Sequence, residues 1–355
     1  MSEARDGGAA EFAGRMLRMQ NEASVALMVS VGHRTGLFDV LAEMPPATSA
    51  EIAARAGLHE RYVREWLAVM ATARIVEHDG ATGTFSLPAA HAAALTRAAG
   101  MGNLAAGMQY IGLLALVEDQ VVECFRHGGG VPYSAFPRFQ AVMAEDSGAV
   151  RDATLIGQTL PLVPGLAERL RAGIDVADVG CGSGHAVCLM AAAFPRSRFT
   201  GFDFSGGGIA AGREEARHLG LANARFEERD VARLGEASQF DFITTFDAVH
   251  DQARPDLVLA AIAAALRPGG AYLCVDTAAA SNLAGNLDHP LGPFLYTVSC
   301  MHCMTVSLAG GGMGLGTMWG EQTARAMLAE AGFGTVETAH LDGDMTNAYF
   351  IATKS

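Results

Sequence analysis

From residue 24 onward the apolar positions recur at helical spacing and then shorten into alternating runs. SVALMVSVGHRTGLFDVLAEM predicts helix, PPATSA a loop, and EIAARAGL a short helix capped by Ser49 and ended by Gly57. In HERYVREWLAVMATA, Tyr62, Trp66, Val69 and Met70 define one apolar face of a further helix. RIVEHDGATGTFSL then predicts two strands around a turn at Asp79 and Gly80. Residues 93–172 return to Ala-, Met- and Leu-rich helical spacing, broken by HGGGVPYSAFPRF, whose glycines and prolines predict a loop. Beyond residue 173, short apolar runs (DVADVG, RFTGFDFS, ARFEERD, DFITTFDAVH, AYLCVDT, TVETAHL, AYFIATKS) alternate with helical stretches. Strand alternating with helix predicts βαβ units and a mostly parallel, doubly wound sheet.

Helix, turn, helix and a two-stranded wing make residues 1–92 a mostly helical winged-helix pattern. Residues 93–172 follow as a helical linker that lines a pocket, and residues 173–355 as an α/β domain. A winged helix suggests DNA, but charge argues otherwise. The 355 residues carry 25 Lys and Arg against 38 Asp and Glu, a net charge of -13 that repels nucleic acid and anionic membranes. The second helix of the pattern interleaves Glu60 and Glu65 with Arg61 and Arg64, a poor footprint for phosphate. The expectation is a packing module that forms a homodimer and binds neither nucleic acid nor membrane. No apolar run reaches the roughly 18–20 residues that span a bilayer, and the N-terminus lacks a basic start followed by an apolar stretch. A cytoplasmic protein with reduced thiols is expected from its six cysteines. Of these, Cys300 and Cys303 form a CxxC pair; a structural zinc site wants four ligands, so no metal is expected.

The densest chemistry lies in VADVGCGSGHAVCLMAAAFP. A strand ends at Gly180, passes through GCGSG and opens a helix near His185. Gly180, Gly182 and Gly184 permit positive φ and let a ligand lie against the backbone at a helix N-terminus. Their spacing is GxGxG rather than the GxGxxG of dinucleotide binders. Asp178, two residues before the first glycine, suits the organisation of this loop around an amino-acid ammonium. Asp203 ends the next strand, where an acid can accept bonds from both ribose hydroxyls. Asp230 ends the third, beside Val231, suited to an adenine amino group. Three acids at successive strand ends describe a nucleoside with an amino-acid tail.

Here the chain resembles the class I S-adenosylmethionine-dependent methyltransferases, whose usual turn before the fifth strand is matched by LRPGG at residues 266–270. The resemblance implies a Rossmann-like seven-stranded sheet over residues 173–355 and S-adenosylmethionine as cofactor. It implies that Asp178, Gly180, Gly182 and Gly184 line the methionine side, Asp203 the ribose, and Asp230 with Val231 the adenine, with Cys181 and Phe204 as further cofactor contacts. Phe246 and Asp247 would touch the cofactor or shape the floor.

The fourth strand runs into DFITTFDAVHDQARPDL, with His250 just past its C-terminal end. This is similar to the segment ending in HDW of the plant-type small-molecule O-methyltransferases, with Gln252 in place of the Trp. The order also resembles that group and its bacterial winged-helix relatives: GLFDVL and a closing SLP precede the α/β domain. The resemblance implies methyl transfer to a small acceptor at oxygen, with His250 as general base, a role suited to its ordinary pKa of ~6.5. The competing readings are a transcription regulator that keeps the fold as a cofactor sensor, and a methyltransferase acting on nitrogen, sulfur, carbon or a peptide. The (N/D)PP(Y/F) segment of amino-methylating nucleic-acid enzymes is absent.

Residues 277–320 form an unusually long connection, expected to act as a lid over the acceptor pocket. Tyr296, Met301, His302 and Trp319 from this segment, with Tyr133 from the earlier aromatic loop, are the candidate acceptor contacts. Residues 310–316 would serve as a hinge or a close-approach loop.

Overall fold

The computed structural model describes residues 2–355, with side chains from residue 8 onward. Two compact units divide it, Met1–Ala115 and Leu116–Ser355, so the expected linker 93–172 is shared between them.

The first unit comprises α1 (Ser2–Thr35), α2 (Leu37–Ala42), α3 (Ser49–Ala56), α4 (Glu60–Thr72), strands β1 (Glu77–Asp79) and β2 (Thr84–Ser86), then α5 (Ala89–Leu95), α6 (Leu104–Gly107) and α7 (Gln109–Ala115). Thr48, not Ser49, caps α3. Its extended backbone precedes the first turn, its hydroxyl accepts the Glu51 N–H, and the Glu51 carboxylate takes the Thr48 N–H in return. Gly57 ends the helix in the left-handed region, as expected. On α4 the buried face is Val63, Trp66, Leu67 and Met70, whereas Tyr62 is 78% exposed. The buried stripe is therefore rotated from the expected one, because Trp66 sets it. The Trp66 indole donates to the Met28 carbonyl at 2.8 Å, and a Cβ on Gly32 of α1 would lie only 2.4 Å from its ring. Glycine is what lets the two helices cross here. β1 and β2 pair antiparallel as the wing.

The second unit opens with α8 (Glu118–His127), α9 (Phe139–Thr154), which runs into a π-helical turn at Leu155–Thr159, and α10 (Leu166–Ala172). There follow β3 (Asp175–Val179), α11 (His185–Ala193), β4 (Arg198–Asp203), α12 (Gly206–His218), β5 (Ala224–Glu228), β6 (Phe240–Phe246), α13 (Pro255–Ala265) and β7 (Leu266–Thr277). α14 (Gly292–Val298), a π-helical turn at Ser299–Cys303, α15 (Met304–Ala309), α16 (Gly320–Glu330), β8 (Phe333–Ala339) and β9 (Asn347–Lys354) complete the chain. The sheet has seven strands in the order β5-β4-β3-β6-β7-β9-β8. β3 to β7 run parallel, and β9 lies antiparallel to both β7 and β8.

Strand periodicity divides the core between the two faces of the sheet. Val176, Phe242 and Leu273 pack on one side with Val187 and Met190 of α11, whereas their neighbours Ala177, Ile243 and Tyr272 pack on the other with Leu259 of α13 and Leu328 of α16. The strand order reverses between β3 and β6, and in open α/β sheets that point opens a crevice at the strand C-termini. The 277–320 connection is largely helical. Its glycine run serves close approach: a Cβ on Gly312 would meet Ala253 at 2.4 Å, and Met313 and Gly316 donate to the carbonyls of Ala253 and His250.

Candidate active site

β3 delivers the chain into a loop whose glycines all adopt positive φ: 75° at Gly180, 55° at Gly182 and 77° at Gly184. Two of them are also enforced by space, since a Cβ would meet Ala248 at 2.5 Å from Gly180 and Phe226 at 2.3 Å from Gly184. Asp203 at the end of β4 holds the loop from the side. One carboxylate oxygen accepts the Gly182 N–H and the other the Ser205 N–H, each at 2.8 Å. Burial raises its pKa, and these backbone donors oppose the shift. Asp178 is buried beneath the loop, where burial lifts its pKa to about 6 although the Thr244 hydroxyl donates to it at 2.8 Å.

These groups face one cavity at the C-terminal ends of β3, β4 and β6. Of the sequence-derived residues, Asp178, Gly180, Cys181, Gly182, Asp203, Phe204, Val231, Phe246, Asp247 and Tyr133 line it. Gly184 packs on Phe226 instead. Asp230 stands apart from the lining, with its side chain 63% exposed and capping the next short turn through the Ala232 N–H. Tyr296, Met301, His302 and Trp319 are not among the lining residues either. The Tyr296 hydroxyl accepts from Asn286 at 3.1 Å, and Met301 lies in the π-helical turn.

A second wall of the cavity is built by α9, inside the segment expected to line a pocket, through residues the sequence reading did not single out. Gln140, Ala144, Ser147 and Arg151 line it at spacings of four, three and four residues, one face of a helix. That spacing is readable in FQAVMAEDSGAVRDAT. Arg151 lies 3.8 Å from Asp247 and 4.9 Å from the centre of the Phe246 ring. Asp247 itself has φ 53°, an uncommon conformation for a residue with a side chain, and burial lifts its pKa to about 6. His185 bridges the elements around the loop, 2.9 Å from Asp152 of α9 and 2.6 Å from Glu215 of α12.

His250 is buried four residues beyond β6, and its Nδ1 lies 2.7 Å from Asp276 Oδ1 near the end of β7. The same oxygen accepts from the Thr277 N–H at 2.8 Å and the Trp319 indole at 3.0 Å. Trp319 thus buttresses the acid. Burial presses the His250 pKa down, but the Asp276 carboxylate and the Cys303 thiol outweigh it and hold the imidazole well above its ordinary value. Cys303 also lies 3.5 Å from Nδ1 of His302, a fully buried imidazole stacked on Phe139 at 3.4 Å; burial and the charge of His250 drop the pKa of His302 to about 3. His250 is not itself in the cavity lining, whereas the next two residues, Asp251 and Gln252, are.

A seven-stranded sheet with a glycine loop and acids at its strand switch point defines a Rossmann-like fold. The comparisons specify it further: residues 170–332 match a methyltransferase domain, and residues 23–97 match the Rv2258c-like winged HTH domain. The chain joins the two. The mitomycin 7-O-methyltransferase MmcR is similar over 99% of both chains, with TM-score 0.72 and 18% identity. The human N-acetylserotonin methyltransferase, solved with S-adenosylmethionine, is similar over 97% of this chain and 98% of its own, with TM-score 0.69 and 18% identity. At such identities the likeness is one of fold. A fatty-acid O-methyltransferase of Mycolicibacterium smegmatis is 33% identical over 105 residues, 29% of this chain and 37% of the relative. The matched segments span 23–47% of the curated relatives' lengths. No helix among the described residues is long and apolar enough to cross a membrane.

Proposed function

We propose that this chain is an S-adenosylmethionine-dependent methyltransferase acting on an oxygen, hydroxyl or carboxylate, of a small molecule, with His250 as general base. The observation that carries the reading is the buried 2.7 Å pair of His250 and Asp276 next to a glycine-loop cavity.

The residues suit the cofactor. Gly180 and Gly182 give a side-chain-free wall at the N-terminus of α11. Asp203 uses one lone pair of each oxygen on backbone N–H groups, which leaves acceptor capacity for two ribose hydroxyls. Asp178 and Asp247 offer negative charge to an ammonium and a sulfonium. When bound, the cofactor supplies an electrophilic methyl group on a leaving thioether.

The protein's own task is then to position the nucleophile and take its proton. Asp276 accepts the Nδ1 proton of His250, which leaves Nε2 as the basic atom and stabilises the imidazolium that forms. A general base of this kind contributes typically about 10²–10⁴-fold. Transfer of labelled methyl from the cofactor to a panel of phenols and carboxylic acids tests the reading. His250→Ala should lower turnover of a hydroxyl acceptor at least 100-fold at unchanged cofactor affinity; unchanged turnover removes the base.

The proposed protein works in the cytoplasm as a homodimer. Support for the dimer is the exposed apolar stripe of Phe12, Met16, Leu17 and Met19 along α1. A DNA-sensing role is disfavoured by α4, whose Arg61 and Arg64 pair with Glu65 and Glu60.

A further inference from the structure

Successive residues of a helix ordinarily face apart, yet His302 and Cys303 touch: the Cys303 Sγ lies 3.5 Å from Nδ1 of His302. Both belong to the π-helical turn Ser299–Cys303 that interrupts the run from α14 to α15. The same thiol is hydrogen-bonded to His250, so one buried sulfur joins two buried imidazoles. We propose that Cys303 is a positioning residue for the base: His302 holds the thiol proton, and the sulfur accepts an N–H of the His250 imidazolium that proton transfer creates. This rests on the methyl-transfer reading above.

The surroundings of His302 set its tautomer. Its ring is fully buried and stacked on Phe139 at 3.4 Å, with the rings of Phe136 and Tyr133 steeply inclined to it at 4.6 and 5.5 Å. Nε2 has no hydrogen-bond partner among the described residues. A second proton on this ring would put an unpaired charge in an apolar shell. Burial and the charge of His250 accordingly hold its pKa down to about 3. The imidazole is therefore neutral, with one N–H and one acceptor nitrogen. Aromatic rings are weak acceptors for an N–H and offer nothing to a lone pair. That environment favours the proton on Nε2, which leaves Nδ1 to accept the Cys303 S–H.

A thiol has a single proton, and once it is given to His302 the sulfur turns only acceptor capacity toward His250. Asp276 serves the Nδ1 side of that ring at 2.7 Å. Neutral His250 has one N–H, which Asp276 takes, but the imidazolium has two. The second needs an acceptor at a residue that is 5% exposed, and the acceptor oxygen loses its negative charge on methylation. The sulfur is a weak acceptor, yet it is in place before the charge develops, so no reorganisation is required. The proton passes from the acceptor oxygen to His250 and then to water, and Cys303 neither gains nor loses one.

The titratable groups that act on His250 come from three segments. Asp276 lies near the end of β7, Cys303 and His302 in the π-helical turn, and Asp247 and Asp251 beyond β6. The three acids remain in every variant below, so a shift confined to changes at residues 302 and 303 reports the thiol.

Histidine-selective NMR of the full chain reads the His250 titration without any acceptor, its signal being assigned by its loss in His250→Ala. Cys303→Ala should move that titration about one pH unit lower, and Cys303→Ser, whose hydroxyl can bond both imidazoles, should restore most of the shift. His302→Phe keeps the stack on Phe139 but removes Nδ1, which frees the S–H to turn to His250, and it should lower the titration too. The acidic limb of methyl transfer should move in the same order. Neither residue lines the cavity, so S-adenosylhomocysteine should bind each variant with unchanged affinity in calorimetry, which shows that it is folded. Should Cys303→Ala not fold, Cys303→Ser against His302→Phe makes the same comparison. A titration left in place by Cys303→Ala or His302→Phe, or one that Cys303→Ser fails to restore, overturns the proposal. An unaltered chain that shows the NMR order but transfers no methyl instead contradicts the methyl-transfer reading.

Discussion

Nδ1 of His250 lies 2.7 Å from Oδ1 of Asp276, and both side chains are sealed from solvent. A carboxylate oxygen accepts, so Nδ1 donates in this pair, and in the proposed reaction Nε2 would be the atom that takes the acceptor's proton.

This pair sets the pH profile. Asp276 and Cys303 hold the His250 pKa well above its ordinary value against the opposing effect of burial. A base must be unprotonated, so turnover should rise with pH through an acidic limb lying above about 6.5. Asp276→Asn should move that limb to lower pH and reduce the plateau. A limb that stays in place in this variant would break the link between the two residues. The sign for stability is opposite: His250 contributes most below its unfolded pKa, and the contribution is lost as pH rises through the folded one.

Cofactor affinity should carry a different pH dependence. Burial lifts Asp178, Asp247 and Asp251 to about 6. A cofactor bearing a sulfonium and an ammonium needs them ionised, so its Kd should increase as pH falls below about 6. Without bound cofactor, these raised carboxyls should oppose folding above pH 6, with the opposition relieved between pH 6 and about 4. Titrations between pH 5 and 8 check the first point, and a Kd flat across that range contradicts it.

The loop glycines should separate by mechanism. Gly184→Ala forces a Cβ against the Phe226 ring at positive φ and should cost about 1–3 kcal/mol of stability. At Gly182 a Cβ meets nothing within 4 Å, so Gly182→Ala should keep more stability but weaken the cofactor, since this residue lines the cavity. Chemical denaturation with parallel binding titrations reads both, and identical behaviour of the two variants would contradict the assignment.

The α1 stripe offers a test of assembly. Leu17 is 65% exposed. Leu17→Glu, which places charge in that apolar stripe, should shift the protein from dimer to monomer in sedimentation equilibrium. An unchanged dimer would assign the interface elsewhere.

The glycine loop and Asp203 were legible in the sequence because their chemistry is local and ordered: turn glycines, then an acid at the next strand end. Asp230 has the same signature; one of its oxygens caps its own short turn, and its proposed part in holding the adenine is not legible from that cap. Thr48 and Ser49 pose a similar choice, decided by the reach of Glu51. Trp319 reads as a pocket wall in sequence, yet it buttresses Asp276 from 43 residues away, a contact that only the folded connection creates. Arg151 was readable by spacing on α9, but its meaning depends on three strands that come later in the chain.

The most direct measurement is calorimetric titration of the purified full chain with S-adenosylmethionine at pH 8, alongside His250→Ala. Saturable one-to-one binding of similar affinity by both proteins is the expected result. Absence of binding by the unaltered chain would contradict the proposed function at its root.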